Sequence, residues 1–462
     1  MILGDRPSSE LTLYVKENGL VSLNIPKSKI SSLPPLSKSD ESNTFKCTPY
    51  TRPKLDLRPK KHARVLTENQ VLTSTIAPKK LVRVVRNKSR NLFKIRKNVR
   101  MTSPLYGRDL AHIELVHTER DVSYKPGHIL RVKPRNSQEK IESFLKQMNW
   151  NGDDLVVFGE QNRVLTVREH ASSILELFAC PKSSFLKRLA DLVSSSSSAR
   201  KRQLEFLADN TDLVQDQGLT YASVLIAANV KFDYADLIHS QLVPEIAERS
   251  YSIASCRDVV GSRQVDLIVV RETWDTIEGE HRAGLCSSFL CDVPRDTIVE
   301  ASIDTSTSLD LTDSSKDIIM IGFGTGIAPL RAFCQWYYHL RRQGKRTGEI
   351  ILYFGARTSS NENMYGFELS SMLRGMSTKT GGPIRMLRQA FSRDDPKKKV
   401  YVQHLMNEDR DTIREFLVER KAVLMLCGPT RPVDSACDVV SDVTGVSTED
   451  LASEGRLLVE SY

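Results

Sequence analysis

The segment Gly322-Phe323-Gly324-Thr325-Gly326 follows an apolar run, Ile318-Ile319-Met320-Ile321, and precedes a helical pattern. A strand, a glycine turn and a helix start form a phosphate-binding arrangement. The glycines let the backbone approach an anion, and the free N–H groups of the first helical turn point at it. Thr325 adds a hydroxyl donor, and Pro329 suits an early helical position, where its missing N–H costs little. The turn is not a Walker A loop, since no Lys-Ser/Thr follows, nor the usual dinucleotide fingerprint, whose third glycine is absent. Taken alone it equally describes a tight strand-to-helix turn. Its place at the end of a parallel-type strand favours a ligand. The run Lys397-Lys398-Lys399 is either solvated surface or an anion contact. The eight cysteines contain no C-x-x-C pair and no zinc-like spacing with histidine, so no metal site is expected.

The elements that would hold the glycine turn can be read around it. Leu330, Phe333, Tyr337 and Leu340 mark one face of a helix ending near Gly344. Strands are expected at Ile350–Phe354, Val400–Val402 and Val423–Leu426. Apolar strands alternating with helices predict a parallel sheet covered on both faces. Upstream, Ala111–Val116 alternates as a half-buried strand does. Tyr124–Gly127 reads as a turn and Ile129–Val132 as a further strand. Asn136 reads as an N-cap with Glu139 three residues on, and Ile141, Phe144, Leu145 and Met148 mark a helix face. Residues 140–245 read as mostly helical, with a loop at Ser194–Ser198. Strands return at Ser250–Ala254 and Val265–Val270.

A chain of 462 residues suits two or three domains. The formal charge is +9, but residues 1–100 carry +15 and residues 101–462 carry −6. Residues 1–80 are rich in Ser, Pro and Lys and are expected to be irregular apart from strand-like pieces at Leu11–Val15 and, just beyond, Leu81–Val85. No apolar run approaches the ~20 residues of a membrane span, and the start lacks the pattern of a secretory signal. A reduced, cytoplasmic setting with free thiols is expected.

Gly322-Phe323-Gly324-Thr325-Gly326-Ile327-Ala328-Pro329-Leu330-Arg331-Ala332-Phe333 resembles the nicotinamide-domain motif of the NADPH-dependent diflavin reductases. That family includes cytochrome P450 reductase, the sulfite reductase flavoprotein, methionine synthase reductase and the NADPH-dependent diflavin oxidoreductases. It usually has Pro where Phe323 stands. Further segments resemble the family in order: Tyr124–Gly127 with Pro134-Arg135-Asn136, Arg249–Ser255, Gly284–Leu290, Phe354–Arg357 with Tyr365 and Glu368-Leu369, Ser392 to Gln403, and Cys427-Gly428. His128 stands where Asp is usual. The resemblance covers about residues 93–462.

The resemblance implies a ferredoxin–NADP reductase-type module of multi-domain β plus α/β class. An antiparallel FAD-binding β-barrel (93–140 and 245–312) would carry a helical connecting insertion (141–244). A parallel-sheet NADPH-binding α/β domain (313–462) would follow, and residues 1–92 would form a basic arm. For FAD it implies a pyrophosphate contact from Arg249, ring stacking by Tyr251, a hydrogen bond from Ser252, a diphosphate segment at Gly284, Leu285, Cys286 and Ser287, and an aromatic cover from Tyr462; Arg108 stands at a position associated with a cofactor phosphate contact. For NADPH it implies Gly324, Thr325, Gly326 and Arg357. It adds a 2′-phosphate set of Ser392, Arg393, Lys399, Tyr401 and Gln403, with Lys398 an alternative to Lys399. A 2′-phosphate is a dianion, which cations and hydroxyls favour. Hydride transfer would be assisted by Ser252, Cys427 and a carboxylate near the C-terminus. Ungapped alignment of Gly455–Tyr462 assigns that carboxylate to Glu460, where the family has Asp.

Residues 1–92 read as too short and too polar for the family's FMN-binding flavodoxin domain. The expected chemistry is then half a relay: hydride from NADPH to FAD, then single electrons to a separate FMN, iron–sulfur or haem protein. The basic arm would suit an acidic acceptor, flavodoxin-like or iron–sulfur. The sequence of the Gly284 segment leans toward the cytosolic diflavin oxidoreductases. The alternative is a catalytically impaired relative acting as a binding module through its arm. Aromatic residues are nearly absent from the arm, which argues against nucleic acid stacking.

Overall fold

The computed structural model describes residues 64–66, 91–158, 163–193, 198–230, 233–276, 279–374 and 381–462. The strands expected at Leu11–Val15 and Leu81–Val85, and most of the Ser194–Ser198 loop, lie outside the described residues. So does the basic arm, apart from Arg64–Leu66 and its last two residues. The chain forms two compact units.

One unit comprises residues 135–247 and 274–285 with the strand Arg64–Leu66. Its helices include Gln138–Met148, Ser183–Leu192 and Tyr221–Ala228, and they bury Ile141, Phe144, Leu186, Leu189 and Leu225 in one core. Two details differ from the sequence expectation. The N-cap is Ser137, because Asn136 turns inward and its amide donates to the carbonyls of Ala171 and Leu175 at 2.8 and 2.7 Å. Within the stretch read as helical, Leu155–Phe158 and Arg163–Thr166 form an antiparallel pair joined by Arg64–Leu66. The run Leu155-Val156-Val157-Phe158 has the β-branched and aromatic character of a strand.

The other unit holds two sheets. The first is antiparallel, ordered Arg249–Ser252, Ile129–Lys133, Ile298–Asp304, Leu92–Arg100, Leu110–His117, Gln264–Val270. Alternation puts Ile113, Leu115, Leu130 and Val132 inside. Just beyond the first edge strand, the Ala254 N–H donates to the Asp266 carbonyl of the last strand at 2.8 Å, closing a seam between the two edges. His128 accepts the Lys125 N–H at 3.3 Å and so closes its own turn.

The second sheet is parallel, ordered Ile384–Phe391, Ile350–Ala356, Ile318–Phe323, Val423–Gly428, Leu457–Ser461. In chain order this is 3-2-1-4-5, a doubly wound arrangement whose switch point falls between Ile318–Phe323 and Val423–Gly428. Both faces are covered, so these two strands are buried throughout. The helix Ile327–Arg342 buries Leu330, Phe333 and Tyr337 against the sheet. The strand expected at Val400–Val402 is instead an extended approach to the helix Val402–Glu408, with Tyr401 as its N-cap. A three-residue apolar run cannot by itself distinguish these two outcomes. Most of Gly284–Leu290, the segment matched to the family's diphosphate segment, forms the helix Leu285–Asp292.

Candidate active site

The C-terminal ends of the parallel strands carry the candidate residues as a row: Ser392 and Arg393, Arg357, the turn Gly324–Gly326, Cys427, and Glu460 with Tyr462. In open α/β sheets, ligands bind beyond these ends at the switch point. The turn is one 3-10 turn running into the helix at Ile327. Gly324 has φ +56°, and a side chain there would meet nothing within 4 Å. Gly326 lies on the opposite side of the turn, where a Cβ would stand 2.0 Å from the Cys427 carbonyl oxygen. One glycine leaves space above the turn, and the other lets the turn press on the neighbouring strand.

Phe323, where the family usually has Pro, is buried in the slot between Gly355 and Gly428. A Cβ on either glycine would meet it, at 3.1 Å from Gly355 and 2.8 Å from Gly428.

Ser252, Glu460 and Cys427 come together. Ser252 Oγ donates to Glu460 Oε1 at 2.9 Å, and Cys427 Sγ donates to Glu460 Oε2 at 3.8 Å. Parallel pairing of Val423–Gly428 with Leu457–Ser461 sets Cys427 opposite Glu460. Burial raises the Glu460 carboxyl above its ordinary range, while the two hydrogen bonds oppose that shift. Burial, with Glu460 beside it, pushes the Cys427 thiol well up, so it stays a neutral S–H. Tyr462 Oη lies 2.7 Å from Thr325 Oγ1. Tyr462 remains 60% exposed.

A cationic group flanks this cluster. Burial lowers the Arg357 guanidinium pKa, and the like charges of Arg108 and Arg393 lower it further. Glu362, fully buried, is the local counter-charge. It accepts Tyr106 Oη at 2.8 Å, Arg108 Nη1 at 3.3 Å and the Arg357 N–H at 3.2 Å. Nothing in the sequence pattern singles out Glu362. The guanidiniums of Arg108, Arg357 and Arg393 lie close enough to act on one another, with Glu362 the nearby carboxylate, and the excess positive charge suits phosphate groups. This donor set, the open Gly324 and the apposed Ser252–Glu460–Cys427 group fit a pair of phosphate-bearing cofactors.

The remaining sequence-predicted residues are distributed as follows. The Ser392 and Arg393 N–H groups bond the carbonyls of Ala356 and Arg357 at 3.0 and 2.7 Å. Lys399 and Tyr401 are exposed on the same connection, and Gln403, one residue into the next helix, donates to the Pro432 carbonyl at 3.3 Å. Arg249 and Tyr251 lie on the edge strand with Ser252. Gly284 precedes the helix Leu285–Asp292 and Leu285 opens it. Cys286 and Ser287 are buried in its first turn, and Ser287 Oγ accepts the Glu272 N–H at 3.1 Å. Burial pushes the Cys286 thiol up to about 11, with the Tyr251 hydroxyl opposing.

The fold and site define a two-nucleotide oxidoreductase module, and comparison with known proteins agrees. Residues 84–289 match the family described as FAD binding domain, and residues 320–438 match the oxidoreductase NAD-binding domain. The chain is 30% identical to pyruvate dehydrogenase [NADP(+)] of Euglena gracilis over 74% of its length and 19% of that protein's. It is 29% identical to a probable sulfite reductase [NADPH] flavoprotein component of Schizosaccharomyces pombe, over 80% of this chain and 36% of the relative. It is 29% identical to NADPH-dependent diflavin oxidoreductase 1 of Cryptococcus neoformans, over 72% and 55% respectively. The chain belongs to the NADPH-dependent diflavin reductase family and carries that family's FAD- and NADPH-binding domains. It spans between about a fifth and just over half of the length of these relatives.

Proposed function

We propose that the chain oxidises NADPH at FAD and passes single electrons to a separate protein acceptor. The observation that carries this reading is the convergence of Ser252, Glu460 and Cys427 beside the glycine turn at the switch point. FAD held there would supply hydride acceptance from NADPH and one-electron release. Glu460 holds both the Ser252 hydroxyl and the Cys427 thiol, fixing two small donors at the place where the two rings would meet. Its carboxylate also offers negative charge where a nicotinamide turns cationic. The cluster's completeness favours a working site over an impaired binding module.

On this reading Arg249, Tyr251, Tyr462 and the Gly284–Ser287 segment hold FAD, and Arg108 contacts a cofactor phosphate. Gly324, Thr325, Gly326 and Arg357 hold the nicotinamide nucleotide. Ser392, Arg393, Lys399 or Lys398, Tyr401 and Gln403 take the 2′-phosphate. The FAD barrel spans 93–140 and 245–312, the connecting insertion 141–244 and the NADPH domain 313–462, with residues 1–92 as the arm. The acceptor is an acidic protein, flavodoxin-like or iron–sulfur, drawn by the +15 of residues 1–100. The setting is cytoplasmic, consistent with free cysteines throughout the described residues.

The test is direct. The purified protein should show a flavin band near 450 nm that bleaches on anaerobic addition of NADPH. Absence of bound flavin after reconstitution, or no bleaching, would overturn the proposal. Removing residues 1–92 should slow reduction of a protein acceptor far more than reduction of ferricyanide; equal losses would remove the arm from docking.

A further inference from the structure

The helix that follows the glycine turn does more than cover the sheet. Arg331 and Gln335, one turn apart on it, are only 7% and 3% exposed. Both reach the closed seam of the antiparallel sheet. Arg331 Nη1 donates to the Ala254 carbonyl at 2.7 Å and to Asp266 Oδ2 at 3.1 Å. These residues belong to the two edge strands' junction, where the Ala254 N–H meets the Asp266 carbonyl. Gln335 Oε1 accepts the Cys256 N–H at 2.8 Å. The segment 254–256, which continues directly from Ser252, is therefore gripped at two backbone positions by the nucleotide-side helix.

The grip is itself braced. Glu368 takes Arg331 Nε at 2.8 Å and Gln335 Nε2 at 2.7 Å, so one carboxylate sets both side chains. The Arg331 guanidinium lies over the Tyr365 ring, 4.2 Å from its centroid, and Tyr365 Oη meets His112 Nδ1 at 2.6 Å. A planar guanidinium with its donors directed at a carbonyl and two carboxylates is fixed in orientation in a way a lysine ammonium is not. Ser252 sits on one sheet, whereas Glu460 and Cys427 sit on the other. The Ser252–Glu460 distance thus depends on how the two sheets are registered.

Resting on the function proposed above, we propose that Arg331 and Gln335 are positioning residues that register the seam at Ala254–Cys256 with the glycine-turn helix and so set Ser252 against Glu460 and Cys427. Both are buried and bonded to protein groups, and they act through the backbone they hold. Geometry at a hydride-transfer site is exacting, and displacement by about 1 Å costs on the order of 100-fold in rate.

The experiment uses the full chain reconstituted with FAD, comparing wild type with Gln335→Leu and Arg331→Lys. Two readouts are taken. The first is anaerobic single-turnover flavin reduction by NADPH and by NADPH deuterated at C4. The second is amide hydrogen exchange over residues 250–258. The expected result is a reduction rate lowered ~10–100-fold, with an enlarged isotope effect, unchanged flavin content and an NADPH KM within about twofold of wild type. Exchange at 254–256 should be faster while the parallel sheet stays protected. Unchanged exchange at 254–256 would overturn the grip. Altered exchange with an unchanged reduction rate would overturn its consequence for Ser252. A rate loss that tracks lost flavin or global unfolding in both variants would also reject it. If wild type itself is not reduced by NADPH, the functional reading fails, and the exchange data still decide whether the seam is held.

Discussion

Gly326 and the carbonyl of Cys427 are in such close apposition that a single added methyl on the glycine would stand 2.0 Å from the oxygen. The contact joins the phosphate-type turn to the strand end that carries the thiol. It makes the turn's position and the thiol's position one structural variable rather than two.

Replacing Gly326 with Ala should therefore force the turn away from Cys427. Overpacking of this kind costs about 1–3 kcal/mol. Chemical denaturation should report that loss, and NADPH binding should weaken in parallel. Gly324→Ala should not clash, because open space lies above that position. Its cost should come only from the positive φ.

Glu460 predicts a pH dependence. Burial raises its carboxyl above the ordinary 4.5. An acid with a raised folded pKa favours the fold below its unfolded value, and that contribution is lost as pH rises through the folded value. Glu460→Gln, which mimics the protonated acid, should escape this loss. Its melting temperature should gain on wild type as pH rises from about 4.5 upward. A constant difference between the two proteins would refute the shift.

The connection from Ser392 to Gln403 predicts coenzyme selectivity. Charge-assisted hydrogen bonds are worth about 1.5–3 kcal/mol each. Arg393→Ala with Lys399→Ala should thus raise the KM for NADPH by about two to four orders of magnitude, while leaving NADH turnover nearly unchanged. Equal losses with both coenzymes would point away from a 2′-phosphate contact.

His170 predicts the acid behaviour of the helical unit. It is buried against Tyr234, bonded to Tyr234 Oη at 2.9 Å, and burial lowers its pKa to about 3. A base depressed in the fold stabilises it above the unfolded value of about 6.5 and loses that contribution as pH falls. The stability advantage of wild type over His170→Asn should shrink below pH 6.5, by up to about 1.4 kcal/mol per pH unit. Denaturant titrations at several pH values would measure it.

The sequence disclosed the parallel strands because their apolar runs are buried on both faces, and the turn because glycine has no substitute there. It disclosed less where contacts are long-range. Arg331, Gln335 and Glu362 sit within ordinary helical or turn patterns, and only their partners in distant segments mark them. The Val400–Val402 run and the Asn136 cap were misplaced for a related reason. Short signals yield to tertiary demand, here the start of the helix Val402–Glu408 and the inward hydrogen bonds of the Asn136 amide. The assignment of Glu460 rests on the ungapped alignment of Gly455–Tyr462, and the pairing of Leu457–Ser461 with Val423–Gly428 sets Glu460 opposite Cys427.

The strand Ile129–Lys133 pairs with Arg249–Ser252, with Val132 opposite Arg249, although more than a hundred residues of chain separate them. Residues 135–247 leave this sheet and return to it at one pair of strands, while 274–285 and the strand Arg64–Leu66 join the same unit separately. Loop closure grows only logarithmically with length, so doubling the excursion costs about 0.6 kcal/mol. The barrel is thus nearly indifferent to the size of its guest. Lengthening or trimming a surface loop of that excursion is then a local change, and the flavin barrel can serve as a chassis that accepts it.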